Sequence, residues 1–345
     1  MSIDLVVLPG DGIGPEVTEE ALAVLHRAAD RHGADISIQT ALIGGVAIDE
    51  TGDPLPQATL DACRSSQGIL LGAVGGPKWD GGDIRPEAGL LRIRAELRLF
   101  SNLRPVKVFS GLEDLSPVKN AAGMDVLIVR ELTGGIYFGE REEGTSRASD
   151  LCAYTAEEVE RVLEVAFLAA RQRSGRLTAV DKANVLATSR LWRHHVDEMA
   201  ARFKDVEVDY VLVDAMAMHL VTHPSRFDVV VTENLFGDIL SDEAAAISGS
   251  IGLAASASLG TPGTPGLYEP IHGSAPDIAG QGVANPAGAM LSAAMMMRHG
   301  ADREDIAQAI EKAVETTVAS GIRTRDLGGD AGTKAFTDAV LEHLD

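Results

Sequence analysis

At 345 residues, 45% of them hydrophobic, the chain can bury a sizeable core as one large or two ordinary domains. Its 51 Asp and Glu against 30 Lys and Arg leave a formal charge of -21, a field that repels phosphate backbones and anionic membranes and excludes nucleic acid and membrane surfaces as partners. Cys63 and Cys152 have no ligand or redox spacing, no basic-then-apolar leader is visible, and no run reaches the ~18 to 20 apolar residues of a membrane span; a soluble cytoplasmic protein with reduced thiols is expected.

Short β-rich runs alternate with helical stretches. IDLVVLP (3–9) predicts a strand and PEVTEEALAVLHRAADRHG (15–33) a helix. Between them LPGDGIGPEV imitates a dinucleotide fingerprint, but its spacing is G-x-G-x-G-P. The next strand, ISIQT (36–40), also ends without the acid that would hold a ribose. The glycines are therefore read as a turn packing strand on helix, and a Rossmann fold is rejected. GILLGAV (68–74) closes the next unit. EAGLLRIR (87–94), placed on a helix, turns Glu87, Leu90, Leu91 and Arg94 to one face, which suits a ligand offering both hydrocarbon and an anion.

Further on, MDVLIVREL (124–132), RLTAVDKANVL (176–186), VDYVLVDAMAM (208–218) and FDVVVTENLF (227–236) read as buried strands delivering polar residues at their C-terminal ends. TAEEVERVLEVAFLAARQ (155–172) and TSRLWRHHVDEMAARF (188–203) read as helices, with His194 and His195 of the second facing solvent. The alternation argues for α/β architecture, in which sites form beyond the carboxyl ends of strands; Arg130, Lys182 and Asp214 fall there. Asp238 and Asp242 in GDILSDEAA (237–245) lie four apart on one helical face, either solvated or bridged by a hard cation to which Asp214 would be a third ligand. Lys182 fits a snorkelling surface lysine as well as a base whose pKa burial depresses. Tyr137, in the glycine-framed GGIYFGE (134–140), fits a packed core as well as a ligand contact. Arg94, Arg98, Arg104 and Arg130 could fork onto carboxylates. The turn-rich stretch 258–288, with His272 in it, reads as one long functional loop, and GAMLSAAMMMRHG (288–300) as a buried helix. No shift in composition divides the chain into domains.

Taken together, LPGDGIGPEV, LLGAVGGPKWD, GLLRIR, NLRPVKVF, VRELTGGIYFGE, VDKANVL, VDAMAMHLV, GDILSD, EPIHGSAPDIAGQGVANP and DLGGDAGT resemble the β-decarboxylating dehydrogenases of the isocitrate and isopropylmalate type, most closely the isopropylmalate branch. The resemblance spans nearly the whole chain. It implies a two-domain α/β fold with a mixed sheet, not a Rossmann fold: residues 1–98 with 251–345 carrying most of the NAD site, and 99–250 carrying metal ligands and a dimer interface.

The resemblance also implies residue roles. Arg94, Arg104 and Arg130 correspond to clamps on the substrate carboxylates, Leu90 and Leu91 to a wall for a branched hydrocarbon. Asp214, Asp238 and Asp242 correspond to ligands of Mg²⁺ or Mn²⁺, with Asp214 also touching substrate. Lys182 corresponds to the base and Tyr137 to the catalytic tyrosine; Lys182 and Asp214 would serve the neighbouring subunit's site in a homodimer. His272, Gly273, Ser274, Ala275, Ile278 and Asn285 fall in the NAD clamp, Glu87 beside the nicotinamide, and Asp277 on the adenosine ribose. An acidic Asp277 followed by apolar Ile278 repels a 2′-phosphate, which selects NAD over NADP. The implied reaction is oxidation and decarboxylation of 3-isopropylmalate to 4-methyl-2-oxopentanoate and CO₂ in leucine biosynthesis. A D-malate or tartrate dehydrogenase is the alternative, and the apolar EAGLLRIR face argues against it, because matching a few carbons is worth ~1 to 3 kcal/mol.

Overall fold

In the computed structural model, which describes residues 2–344, the first apolar run forms β1 (Ile3–Gly10) and the periodic stretch after it α1 (Gly14–Arg31). Gly10 and Gly12 between them lie at φ +71° and +59°. A Cβ on Gly10 would stand 1.9 Å from the Ala73 carbonyl oxygen, and one on Gly12 2.0 Å from that of Ser274. Only glycine permits that backbone-on-backbone approach. The turn is a packing device, fastened where Ile13 N donates to Ser274 O at 2.8 Å.

The chain continues through β2 (Ile36–Thr40), α2 (Gly45–Thr51), α3 (Gln57–Ser65), β3 (Gly68–Ala73) and α4 (Glu87–Glu96). It then builds a second set: β4 (Ser101–Lys107), β5 (Asp125–Glu131), the short pair β6 (Arg141–Glu142) and β7 (Ser149–Asp150), α5 (Ala156–Gln172), β8 (Arg176–Asp181), α6 (Ala187–Arg202), β9 (Glu207–Leu212), α7 (Val213–Thr222), β10 (Val229–Thr232) and α8 (Asn234–Ile247). The last set is β11 (Ala255–Leu259), β12 (Gly266–Pro270), α9 (Ala287–His299), α10 (Glu304–Ala319) and α11 (Thr333–Leu344). Two compact units result: Met1–Leu99, Phe109–Leu115 and Gly249–Asp345 in the first, Phe100–Val108 and Ser116–Ser248 in the second.

In the first unit the strand order is β2-β1-β3-β12-β11, parallel except for the antiparallel β11–β12 pair. In the second it is β4-β5-β10-β8-β9, parallel except for β4–β5. Neither has the 3-2-1-4-5-6 order of a dinucleotide-binding sheet. All six residues of β3 are buried, as a parallel strand covered on both faces requires. α9 is buried along most of its length, Met295, Met296 and Met297 included, as its composition predicts. Among the described residues no helix is long and apolar enough to cross a membrane.

Three readings from sequence change. The stretch 258–288 is not one loop, because β12 within it is wholly buried around Tyr268 and pairs with both β3 and β11. Five residues framed by Gly and Pro give too short an apolar run to announce a strand. β9, at the edge of its sheet and paired among the described residues with β8 alone, buries Val211 but otherwise alternates exposed and half-buried residues rather than being buried throughout. Finally, His195 is only 7% exposed: α6 buries Trp192, His195, Val196 and Met199, the i, i+3, i+4, i+7 stripe, despite the charges around them. His194 does face solvent.

Cys63 and Cys152 are free thiols. Cys63 is fully buried among Leu60, Ile69 and Leu71, and burial pushes its thiol up to about 12. At pH 8 iodoacetamide should leave Cys63 unlabelled in the native protein and label it on unfolding. Peptide mass spectrometry reads the difference, and equal native labelling would show that this core opens freely.

Candidate functional site

In the second unit Asn102 of β4 stands opposite Arg130 of β5, so Arg104, two residues along, projects from the same sheet face as Arg130. The two arginines are 8% and 4% exposed, and buried guanidinium groups must be met by acceptors. One face of α8 supplies them through Asn234, Asp238, Ser241 and Asp242. Arg130 donates to Asn234 Oδ1 from Nε at 3.0 Å and from Nη2 at 2.8 Å, and to Asp238 from Nη1. Arg104 donates to Asn102 Oδ1 at 2.7 Å, Ser241 Oγ at 2.6 Å and Asp242 Oδ1 at 3.1 Å. Gly237 allows the close fit, since a Cβ there would lie 2.7 Å from Arg130 Cγ. Glu233 caps the helix, accepting from Phe236 N at 2.8 Å and from the Tyr154 hydroxyl at 3.2 Å.

Tyr137 lies on this face, not in a core: it is 39% exposed and its hydroxyl donates to Asp238 Oδ2 at 3.0 Å. Partial desolvation, and then the Asp238 charge, raise its pKa, so the phenol holds its proton. Partial desolvation also raises Asp242, with Asp238 adding to the shift and Arg104 opposing it. Two carboxylates one helical turn apart, flanked by two buried arginines and a protonated phenol, provide hard oxygen ligands beside anion-binding donors.

Lys182 directly follows β8, and its Nζ bonds Asp214. Asp214 does not end a strand; it sits in the first turn of α7. The lysine is less buried than its apolar strand suggests, with 26% of the side chain exposed. The hydrogen bond from Lys182 holds the Asp214 carboxyl below the usual carboxylate range. Among the described residues of this chain, Asp214 does not cluster with Asp238 and Asp242.

The first unit carries the remaining candidates. α4 forms as its spacing predicts and buries Gly89 and Ile93. Glu87 lies over Gly75, Leu90 packs partly on the Val6–Ile69–Ile93 core, and Leu91 is 48% exposed. Arg94 donates from Nη2 to Glu269 Oε1 at 2.6 Å, while its buried Nε has no hydrogen-bond partner among the described residues. In the segment after β12, His272 Nδ1 donates to the Gly273 carbonyl at 3.0 Å. Burial lowers its pKa, leaving Nε2 as a neutral acceptor, buried and without a partner among the described residues. Gly273 has open space where a side chain would stand, and Ala275 is held at φ 38°. Ser274 anchors the segment to the β1–α1 turn, Ile278 N donates to Ala275 O at 3.1 Å, and Asp277 is exposed. Asn285 is buried, its amide spanning Asp326 at 2.9 Å and Ala287 N at 3.0 Å. A buried acceptor without a partner among the described residues, beside the open backbone of Gly273 and the left-handed Ala275, fits a polar cofactor.

Sequence reasoning missed Asn102, Asn234, Ser241 and Glu269. Extending the Asp238–Asp242 spacing one turn back reaches Asn234, so that residue was within reach. Glu269 was not, because 175 residues separate it from Arg94.

Residues 4–340 match the family model described as isocitrate/isopropylmalate dehydrogenase. A protein of Rhodopirellula baltica named 3-isopropylmalate dehydrogenase is 57% identical over 99% of this chain and 97% of its own length. One of the same name from Streptococcus thermophilus is 51% identical over the full length of both. Among solved structures, isocitrate dehydrogenase from Methylococcus capsulatus superposes with a TM-score of 0.89 at 36% identity over 99% of both chains. A β-decarboxylating dehydrogenase from Thermococcus kodakarensis gives 0.84 at 36% identity, covering 99% of this chain and 96% of that one. Matched from end to end in both sequence and fold, the chain belongs to the isocitrate/isopropylmalate dehydrogenase family.

Proposed function

We propose that the chain catalyses the NAD-dependent, metal-requiring oxidative decarboxylation of 3-isopropylmalate to 4-methyl-2-oxopentanoate and CO₂, in cytoplasmic leucine biosynthesis. The observation that carries this reading is the α4 face, where Leu90 and Leu91 lie beside an arginine with an unused buried donor. A substrate that is a dicarboxylate with a branched alkyl tail matches that pairing. The end-to-end likeness to proteins named for this activity supports it.

The all-oxygen set of Asp238, Asp242 and Asp214 suits Mg²⁺ or Mn²⁺, and the segment from His272 to Asn285, with exposed Asp277 for the ribose, suits NAD. When bound, NAD⁺ supplies the hydride acceptor and the cation a Lewis acid that lowers the substrate hydroxyl's pKa. Arg94, Arg104 and Arg130 fix the substrate carboxylates by forked, charge-assisted hydrogen bonds. Lys182, once released from Asp214 and uncharged, takes the hydroxyl proton during oxidation. After CO₂ departs, Tyr137, which keeps its proton, protonates the carbon left behind. Glu87 favours the cationic, oxidised nicotinamide.

The active species is a homodimer in which Lys182 and Asp214 of one subunit complete the other's site. Two features support this: among the described residues the carboxylates of Asp214, Asp238 and Asp242 do not gather within 4.8 Å in one chain, and Met218, Val221 and Ile239 are 58%, 45% and 58% exposed on α7 and α8.

NADH formation with Mg²⁺ or Mn²⁺ tests the reading directly, comparing 3-isopropylmalate, D-malate, tartrate and isocitrate, each with NAD and NADP. Preference for 3-isopropylmalate with NAD is expected. Preference for D-malate or tartrate would overturn the substrate assignment, and preference for NADP the reading of Asp277.

A further inference from the structure

We propose that α5 and α6 carry a second divalent-cation site, built from Glu160, His195 and Glu198, which takes a borderline transition metal of the Zn²⁺ class. It shares no residue with the candidate site on α8. His195 is the centre of the argument. Its side chain is 8% exposed, and its Nδ1 makes no hydrogen bond with any described residue. Yet that nitrogen stands 3.1 Å from Glu160 Oε1 and 3.2 Å from Glu198 Oε2.

A protonated imidazole held as a simple ion pair would aim its N–H at one carboxylate. Here the nitrogen lies close to both oxygens and is aligned on neither. The three ligand atoms lie within 4.8 Å of one another. Bonds of about 2.0 to 2.2 Å to a shared cation would set neighbouring ligand atoms roughly 3.0 Å apart in an octahedron and 3.4 Å in a tetrahedron. The two nitrogen–oxygen separations fall in that interval.

Charge points the same way. Neither Glu160 nor Glu198 pairs with a lysine or arginine among the described residues; their ionic partners are imidazoles alone. Two carboxylates leaning on one buried nitrogen leave a local negative excess that a cation would neutralise. The donor set selects the cation: imidazole with carboxylates suits Zn²⁺, Ni²⁺ or Co²⁺ better than Mg²⁺, which prefers oxygen throughout. His194, with Nε2 3.5 Å from Glu198 Oε1, offers a second imidazole at the rim. Glu160 and Glu198 are 53% and 57% exposed, so an ion can enter from solvent and water can complete its shell. Once loaded, the ion would tie α5 to α6, the helix that follows β8 and Lys182.

The test is calorimetric titration of the full-length protein with Zn²⁺ in excess Mg²⁺, followed by thermal unfolding with and without Zn²⁺. Wild type should bind a Zn²⁺ equivalent that Glu160→Gln, Glu198→Gln and His195→Asn each bind at least ~10-fold more weakly, and its Zn²⁺-induced rise in Tm should shrink in the same variants. If His195→Asn fails to fold, the two exposed glutamates carry the test, since their amides remove only charge at the surface. Unchanged Zn²⁺ binding and Tm shift in both glutamine variants would overturn the proposal. So would loss of all Zn²⁺ binding in Asp238→Asn, which would place the metal on α8 instead.

Discussion

Lys182→Met should lower kcat by about 10²- to 10⁴-fold, the range for removal of a positioned general base, while substrate binding followed by calorimetry changes far less. The scaffold around Lys182 does not depend on its side chain. Asp181 before it is clamped by Arg193 at 2.9 Å through both carboxylate oxygens and accepts from Ala183 N at 2.9 Å. The lysine's own N–H donates to Ser189 Oγ at 3.0 Å. Asp214, the partner left behind, is exposed and can be rehydrated. A folded protein that binds and does not turn over is therefore the expected result, with kcat and kcat/KM falling together. Retention of ordinary turnover in a preparation free of wild type would remove Lys182 from the role of base.

The same variant tests subunit sharing. If Lys182 serves the neighbouring subunit, a mixed dimer of Lys182→Met and Tyr137→Phe has one intact site and one doubly damaged site. Random exchange of equal amounts then restores about a quarter of wild-type activity from two inactive preparations. No recovery after demonstrated exchange would show that each chain builds its own site.

What could be read in the sequence followed the range of the signal. Asp238 and Asp242 were visible because four residues is one helical turn, and helical geometry converts that spacing into a shared face. Asn234 and Ser241 belong to the same face but carry no charge, so helical spacing alone points to them, and their role rests on Arg130 and Arg104, which donate to them. The polar neighbours Arg193, His194, Asp197 and Glu198 point His195 to solvent in the sequence, but the three- and four-residue stripe through Trp192, Val196 and Met199 outweighs them and buries it. β12 was hidden for a different reason. A five-residue strand between Gly and Pro has no periodicity of its own, and becomes a strand only because β3 and β11 offer it two edges. Pairings across long separations, Arg94 with Glu269 above all, have no local trace.

Replacing Leu90 by Ser should cost the enzyme its preference rather than its chemistry. Matching a few substrate carbons is worth ~1 to 3 kcal/mol, so kcat/KM for 3-isopropylmalate should fall by about 10- to 200-fold while D-malate, which has no tail to lose, changes little. Leu90 also packs partly on the first unit's core, so some loss of stability accompanies the change and must be measured separately by thermal unfolding. Leu91→Val separates the two effects. Leu91 is 48% exposed, and surface substitutions of that kind shift stability by no more than about 0.5 kcal/mol. A loss of selectivity in Leu91→Val therefore reports on the substrate's contact with α4 alone. Equal loss for 3-isopropylmalate and D-malate in both variants would mean that the leucines merely support Arg94, one turn along the same helix. The alkyl tail would then have to be recognised elsewhere.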